Sequence, residues 1–296
     1  MQNEQAIATT STQAVDLFKK QLTGYEKEIT NMMQEHGISP GKFMIYTANI
    51  VKKNAKLLEC ERGTLFGAVF AAAELGLLPN TEQHFCDIIP YNKKVKVAGK
   101  WEHQLEAQFQ LGYLGIVELV YRSPEINDLD TQIVFEEDFF EEELGSSKNL
   151  THRPGIEGKR GKPRGVYAIA NLANGSQKWK YLTEETIMKF KEMSQGATSE
   201  YSPWNAKNDP ERWMWRKTAI KQLWKELPKT GAIGRAMEID NATEMGGNLR
   251  ATEDGNYEIV ESHTAKDHKA QVHNQGKVER AEKATSNMMF TEKPMP

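Results

Sequence analysis

A chain of 296 residues with a formal net charge of −3 and 39% hydrophobic residues has room for one large domain or two and enough apolar content for a core. Its two cysteines supply no disulfide framework and suit a reducing cytoplasm. No apolar run approaches the ~20 residues of a membrane span, and the opening MQNEQAIATTSTQ lacks the basic and apolar segments of a secretory signal.

The first twelve residues read as disordered. Gln13 to His36 reads as a helix, with Val15, Phe18, Leu22, Tyr25, Ile29, Met32 and Met33 at helical spacing. Ser39-Pro40 opens a second helix to about Leu58. Thr64 to Leu75 is a third, Ala-rich and apolar, closed by Gly76 with Pro79 beyond. The period then changes: Phe85 to Tyr91 and Trp101 to Gln110 read as a hairpin with Lys93-Lys94-Val95-Lys96 as its cationic tip. Leu111 to Arg122 reads as a helix in which Gly112 and Gly115 cost stability. Glu125 to Phe140 holds one or two strands, and Ser146 to Arg164 is a Gly/Pro/Lys/Arg loop. Gly165 to Leu172 and Lys178 to Leu182 flank Asn174-Gly175, a hairpin-turn signal. Thr183 caps a helix to about Met193, and Ser194 to Asn208 is a polar loop.

The next helix is the most informative stretch. Asp209 reads as its N-cap, Pro210 sits in its first turn and Pro228 stops it. Projected around the axis, Trp213, Ile220, Leu223, Trp224 and Leu227 share one side, with Ala219 and Trp215 at its edge. Lys217, Lys221 and Lys225 form a ladder beside it, and Arg212 and Arg216 fall among the apolar residues. An arginine there meets a buried carboxylate or an external anion, because an unpaired buried charge is very costly. A solvated lysine face is the plain alternative. Three tryptophans interleaved with five cations fit single-stranded nucleic acid better, since it offers base faces and phosphates together. Beyond Gly231 the pattern dissolves into a predicted disordered tail, inert or partner-binding through its final NMMFTEKPMP.

Charge is segregated along the chain. Residues 236–296 carry 7 Lys/Arg against 11 Asp/Glu, so the remainder is near balance. Glu136 to Glu143 holds six acids, whereas Lys148 to Arg164 holds six Lys/Arg against one Glu. A focused basic patch binds polyanions whatever the total charge. That loop is either a solvated surface or a second cationic wall facing the tryptophan-rich helix.

Other motifs are weaker. No GxxxxGK[ST] phosphate loop occurs, and Gly158-Lys159-Arg160-Gly161-Lys162 runs into Pro163 and a strand rather than a helix. Glu157-Gly158-Lys159 matches a nuclease E-x-K fragment but lies in a loop. His84-Phe85-Cys86 is too sparse for zinc, and His263, His268 and His273 do not share a helix face.

Seven segments, in order, resemble the RecT family of phage and prophage single-strand DNA annealing proteins. They are ELGLLPN (Glu74–Asn80), DIIPY (Asp87–Tyr91), QFQLGYLGIVELVYRSPEI (Gln108–Ile126), HRP (His152–Pro154), GVYAIANLANG (Gly165–Gly175), SPW (Ser202–Trp204) and MWRKTAIKQLWKELP (Met214–Pro228). The resemblance spans roughly residues 40–230. It implies an α+β fold: N-terminal helices, a small antiparallel sheet with packed helices in a Rad52-like annealing core, and a disordered C-terminal tail. It also implies ATP-independent pairing of complementary strands during recombination in a bacterial cytoplasm. Arg153, Arg216, Lys217 and Lys221 are then carried over as phosphate contacts, and Tyr113 and Arg122 as groove residues. Leu114 stands where many relatives have a basic residue.

The domain reading is residues 1–12 disordered, 13–235 annealing core and 236–296 acidic flexible tail. The full candidate DNA-binding set is Lys93, Lys94, Tyr113, Arg122, Arg153, Lys159, Arg160, Arg164, Arg212, Arg216, Lys217, Lys221 and Lys225. No residue is given a catalytic or metal-binding role, and the chain is read as a DNA-holding protein rather than an enzyme. No cofactor is required, Mg²⁺ being left open for the annealing step. The implied partners are single-stranded DNA and its annealed duplex, further copies of the chain in a ring or helical filament, an exonuclease, and the host single-strand-binding protein through the C-terminal region, with no membrane. The alternatives are a metal-dependent nuclease using Glu136, Asp138 and Glu157, and a passive single-strand coat. Arg216→Ala and Lys217→Ala are both expected to weaken strand binding with the fold intact.

Overall fold

The computed structural model describes residues 2–34, 36–97, 100–228 and 231–261, without the side chains of 2–11, 94–97 and 101. The chain begins with α1 (Gln2–Gly24), α2 (Glu26–Met33), α3 (Pro40–Lys53), a short 3-10 turn and α4 (Arg62–Glu74). The hairpin β1 (Cys86–Val97) and β2 (Lys100–Leu111) leads into α5 (Tyr113–Tyr121), β3 (Ile126–Phe135), β4 (Phe139–Glu143) and β5 (Asn149–Arg153). Then come β6 (Pro163–Leu172), β7 (Gln177–Thr183), α6 (Glu184–Met193), α7 (Trp213–Trp224), α8 (Gly231–Glu244), β8 (Asn248–Ala251) and β9 (Tyr257–Val260). All strand pairs in these sheets are antiparallel, in the order β3-β6-β7 with three separate hairpins, β1-β2, β4-β5 and β8-β9. This is the α+β arrangement of N-terminal helices and small antiparallel sheets that the sequence predicts.

α4 is buried on every side from Thr64 to Ala73, as its unbroken small and apolar residues require. It packs against α2, β1, β2 and β8. The expected first helix is two, and α1 starts at Gln2, inside the segment expected to be disordered. The break falls at Tyr25, whose backbone leaves the helical region so that its ring meets Phe66 at 5.3 Å and Phe70 at 5.1 Å. Lys93 to Lys96 are not a turn but part of β1, because Asn92↔Leu105 pairing continues to Val97↔Lys100.

The glycines expected to weaken a helix over 111–122 have other work. Gly112 precedes α5, and Gly115 lies where a Cβ would stand 1.9 Å from the Phe85 carbonyl oxygen. A bare backbone lets α5 reach the start of β1, which offsets the helix cost. The loop expected over 146–164 contains β5, which pairs with the acidic β4.

The largest departure is at the C-terminus. The predicted flexible tail from 236 is too early, because residues 231–260 form α8 and the β8-β9 hairpin. Ile233, Ile239, Leu249 and Tyr257 are buried, and a Cβ at Gly67 would lie 2.8 Å from the Leu249 carbonyl group. The apolar contacts are few and widely spaced, so periodicity alone does not reveal them. The three tail histidines and the final NMMFTEKPMP lie outside the described residues. No helix among the described residues is long and apolar enough to cross a membrane.

β3 is a free edge, and side chains close its outward backbone groups. The Tyr121 hydroxyl accepts from the Leu129 N–H at 3.1 Å and donates to its carbonyl at 3.3 Å. Arg216 donates to the Thr131 carbonyl, Arg160 to that of Ile133 at 3.4 Å, and the Phe135 N–H donates to Asp138 at 2.8 Å. An exposed strand edge is thereby satisfied without another strand.

Candidate nucleic-acid interface

α7 starts three residues later than its sequence signals suggest. The Asp209 carboxylate does cap it, accepting from the Trp213 N–H at 2.9 Å and the Met214 N–H at 3.0 Å. Pro210 lies in the turn before the helix, and Arg212 adopts the left-handed region at φ 56° to swing the chain into it. Trp215, Ile220, Leu223 and Trp224 are buried, whereas Trp213, expected with them, is 44% exposed.

Trp213 belongs to a surface cluster. Its ring lies 5.0 Å from that of Tyr113, and the Arg216 guanidinium sits 5.5 Å from its centroid. The Tyr113 hydroxyl hydrogen-bonds Thr131 Oγ1 at 2.8 Å, and Arg216 reaches both the Thr131 carbonyl and its Oγ1. Thr131 thus fixes both neighbours of the exposed indole. Burial pushes the Tyr113 hydroxyl up from its usual range, against weaker opposing effects of Thr131 and Arg216, so it stays protonated.

A cleft of about 450 Å³ borders the start of α7. Lys162 and Pro163 at the head of β6, Lys191 of α6, Trp204, Arg212 and Trp215 line it. Arg212 lies 5.0 Å from the Trp215 ring centroid. The end of the basic loop and the turn before the tryptophan-rich helix therefore border one cleft, through Lys162 and Arg212.

The lysine ladder lies elsewhere. Lys217 and Lys221, expected as phosphate contacts, point inward to α8. Lys217 Nζ lies 2.6 Å from Asp240 and 3.1 Å from Glu244, and Lys221 Nζ lies 2.7 Å and 2.6 Å from the same two carboxylates. Both lysines are buried. Burial alone would lower the Lys217 pKa and raise that of Asp240. The facing charges win, holding Lys217 above and Asp240 below their ordinary values. Lys225 alone of the ladder is exposed, donating to Gln222 at 2.6 Å.

Other expected contacts are also engaged within the fold. Arg122 donates to the Leu75 and Gly76 carbonyls at 2.7 and 3.0 Å, closing the C-terminal end of α4. Lys93 lies 3.3 Å from the buried Glu106. Lys94 stands opposite His103 in the β1-β2 register. Arg160 clamps Asp138 with bonds of 2.8 and 2.6 Å. Arg153, Lys159 and Arg164 are exposed. Arg153 stacks 4.2 Å from the Phe139 ring, and Arg164 lies 5.6 Å from Phe140 and donates to its carbonyl at 3.4 Å.

The carboxylates of the nuclease alternative do not converge. Asp138 is buried and accepts from Arg160, from His152 at 3.1 Å, and from the Gly155 and Phe135 N–H groups. Glu136 accepts from the Lys162 N–H at 2.9 Å, and Glu157 is exposed on the loop. No group of three or more His, Cys, Asp or Glu among the described residues is placed to hold a metal ion. Burial would raise the Asp138 pKa, but its hydrogen bonds, led by Arg160, hold it well below the usual carboxylate range. Asp138→Asn should therefore cost about 3–5 kcal/mol at neutral pH, since it leaves Arg160 unpaired. A depressed folded-state pKa stabilises above the unfolded value and loses that contribution as pH falls. Urea midpoints of the two proteins should stay apart at neutral pH and draw together below about pH 4.

Sequence reasoning missed Thr131, Lys162 and Lys191. No local signal marks Thr131, whose role depends on β3 lying under α7. Lys162 is legible only as a member of the basic stretch from Lys148 to Arg164, and Lys191 sits in the helix capped by Thr183 with no signal of its own.

Guanidinium groups with no carboxylate partner among the described residues, beside aromatic faces at one helix start, are the equipment of a protein that handles a polyanion. The RecT family model matches residues 41–283, and the chain belongs to that family. It is 29% identical over 215 residues to Protein RecT of Escherichia coli (strain K12), covering 73% of this chain and 76% of that protein. Family membership makes it a recombination protein.

Proposed function

We propose that the protein holds single-stranded DNA across the start of α7 and promotes ATP-independent annealing of complementary strands in phage or prophage recombination. The observation that carries this reading is the exposed Trp213 between Tyr113 and Arg216. A base stacks on the indole, and the cations of the adjoining cleft and loop neutralise the neighbouring phosphates. Backbone contacts carry no sequence information, so any complementary strand pairs with the bases left free. Several copies along one strand multiply weak individual sites. A partner exonuclease supplies the strand, and the C-terminal region reaches a single-strand-binding protein.

The test is renaturation of labelled complementary strands by the pure protein, with and without ATP and with and without Mg²⁺. Accelerated duplex formation without ATP is expected. Strand cleavage with Mg²⁺ would favour the nuclease, and slowed renaturation a passive coat; either outcome overturns the proposal. Binding should also weaken with salt. If each subunit neutralises ~4 phosphates, log K should fall against log salt with a slope of roughly −3 per subunit. A flat salt response in a filter-binding titration would count against the phosphate contacts.

A further inference from the structure

The polar loop between α6 and α7 carries Tyr201, which is 86% exposed and whose ring has no partner among the described residues. The turn beneath that ring is nevertheless closely held. Ser199 to Ser202 form a β-turn, the Ser202 N–H donating to the Ser199 carbonyl at 3.0 Å. The Tyr201 N–H donates to Ser199 Oγ at 3.3 Å. The Asn208 side-chain amide brackets Tyr201, donating to the Glu200 carbonyl at 2.6 Å and to the Ser202 carbonyl at 3.1 Å. Ser202 and Trp204 are buried and anchor the turn. A ring presented on a fixed turn gives up little freedom when a partner covers it.

The same loop walls the cleft at the start of α7. Ser199, Trp204 and Asn205 line it together with Lys162, Lys191 and Arg212. Glu184 is the one acid on that wall, and the three cations have no carboxylate partner among the described residues. The wall is continuous in sequence with two exposed rings. Arg212 immediately precedes Trp213, and Ser199 belongs to the turn that carries Tyr201.

We infer that Tyr201 is a second base-stacking platform and that the strand runs from Trp213 over this cleft to Tyr201. One base lies on each ring, and phosphates between them seat on Lys162, Lys191 and Arg212. The path rests on strand binding at the start of α7 and adds the direction in which the strand leaves it. A protein partner is the competing occupant of Tyr201. Ser199, Glu200 and Asn205 beside it in sequence are exposed and polar, so no apolar patch continues from the ring along this loop for a protein to cover.

The experiment titrates the full chain into a labelled single-stranded oligonucleotide over a range of salt, with circular dichroism confirming each fold. Tyr201→Ala should raise Kd roughly 5- to 150-fold, the usual effect of losing one stacked base. Tyr201→Phe, which keeps the ring, should bind nearly as wild type. The slope of log K against log salt should be the same for Tyr201→Ala as for wild type, because no phosphate contact is lost. Lys162→Ala/Lys191→Ala should instead make that slope shallower by about 1.4, at ~0.7 for each phosphate contact removed from a single strand. A strand carrying 5-iodouracil should photo-cross-link to Tyr201. Wild-type affinity in Tyr201→Ala alongside weakened Trp213→Ala overturns this path and leaves strand binding at α7 standing; wild-type affinity in both overturns the two together. A loss in Tyr201→Ala that Tyr201→Phe does not restore overturns the stacking role. An unchanged salt slope in the double lysine variant overturns the crossing of the cleft.

Discussion

Trp213→Ala should weaken single-strand binding by about 1–3 kcal/mol, the usual worth of one base stacked on an aromatic ring. That is roughly a 5- to 150-fold rise in Kd. Fold stability should change little, because the indole is 44% exposed and its half-buried partners Tyr113 and Arg216 are each held independently by Thr131. Trp213→Phe should restore much of the loss, since a smaller ring still presents a face. Arg216→Ala should also weaken binding, about equally for every sequence, because under the proposed function the lost group contacts phosphate and not base edges. Unlike Trp213→Ala, it should cost some stability, since Arg216 satisfies the Thr131 carbonyl at the open edge of β3. Fluorescence-anisotropy titrations with oligonucleotides of several compositions separate the two variants. Unchanged affinity for both would move the strand away from the start of α7.

How far the sequence leads differs from element to element. α4 was legible because an apolar, Ala-rich run bounded by Gly76 has few other solutions. So was the β6-β7 hairpin, where Asn174-Gly175 dictates the turn and Gly165↔Thr183 pairing follows. Thr183 caps α6 through the Thr186 N–H at 3.3 Å, as its position predicts. The tryptophan-rich helix was found, but its orientation was not. Helical projection ranks residues by angle and contains no information about what lies opposite. Trp213 shares an angular sector with buried residues, yet it precedes the point where α7 enters the core. Lys217 and Lys221 look like a solvent-facing ladder until α8 supplies Asp240 and Glu244. Those acids sit in a stretch whose composition predicts a tail. Misreading α8 and misreading the lysines were therefore one error: a buried ion cluster is invisible when either half is assigned to solvent. The partners of Arg122 and Arg160 are hidden for a similar reason, as both satisfy backbone carbonyls that only the tertiary fold brings near them.

The sharpest consequence concerns Lys217→Ala, a substitution that the sequence alone would class with Arg216→Ala. Lys217 is 7% exposed, with Asp240 and Glu244 on its ammonium group. Removing it leaves two carboxylates sharing Lys221, one of them on a residue 1% exposed. Breaking a buried pair from one side typically costs about 3–5 kcal/mol, because the remaining charge keeps its desolvation penalty and loses its partner. That would be a large fraction of the roughly 5–15 kcal/mol that separates a folded domain from its unfolded chain. Lys217→Ala should consequently lower the urea midpoint sharply, while the molecules that remain folded bind strands with near wild-type affinity. Lys217→Met, which keeps the aliphatic stem but not the charge, should rescue little, since packing is not what is lost. Asp240→Asn combined with Lys217→Met should recover part of the stability by removing both members of one pair. The pH dependence has a defined sign. Asp240 is held below its ordinary pKa, so its contribution is complete at neutral pH and declines once pH falls below about 4. Lys217 is held above its ordinary pKa, so its contribution is intact through neutral pH and is lost only in strong alkali. Wild type should therefore lose acid stability faster than a variant in which the cluster has been neutralised. A Lys217→Ala protein with an unchanged urea midpoint but reduced strand affinity would reverse this assignment and return the ladder to the DNA-binding face.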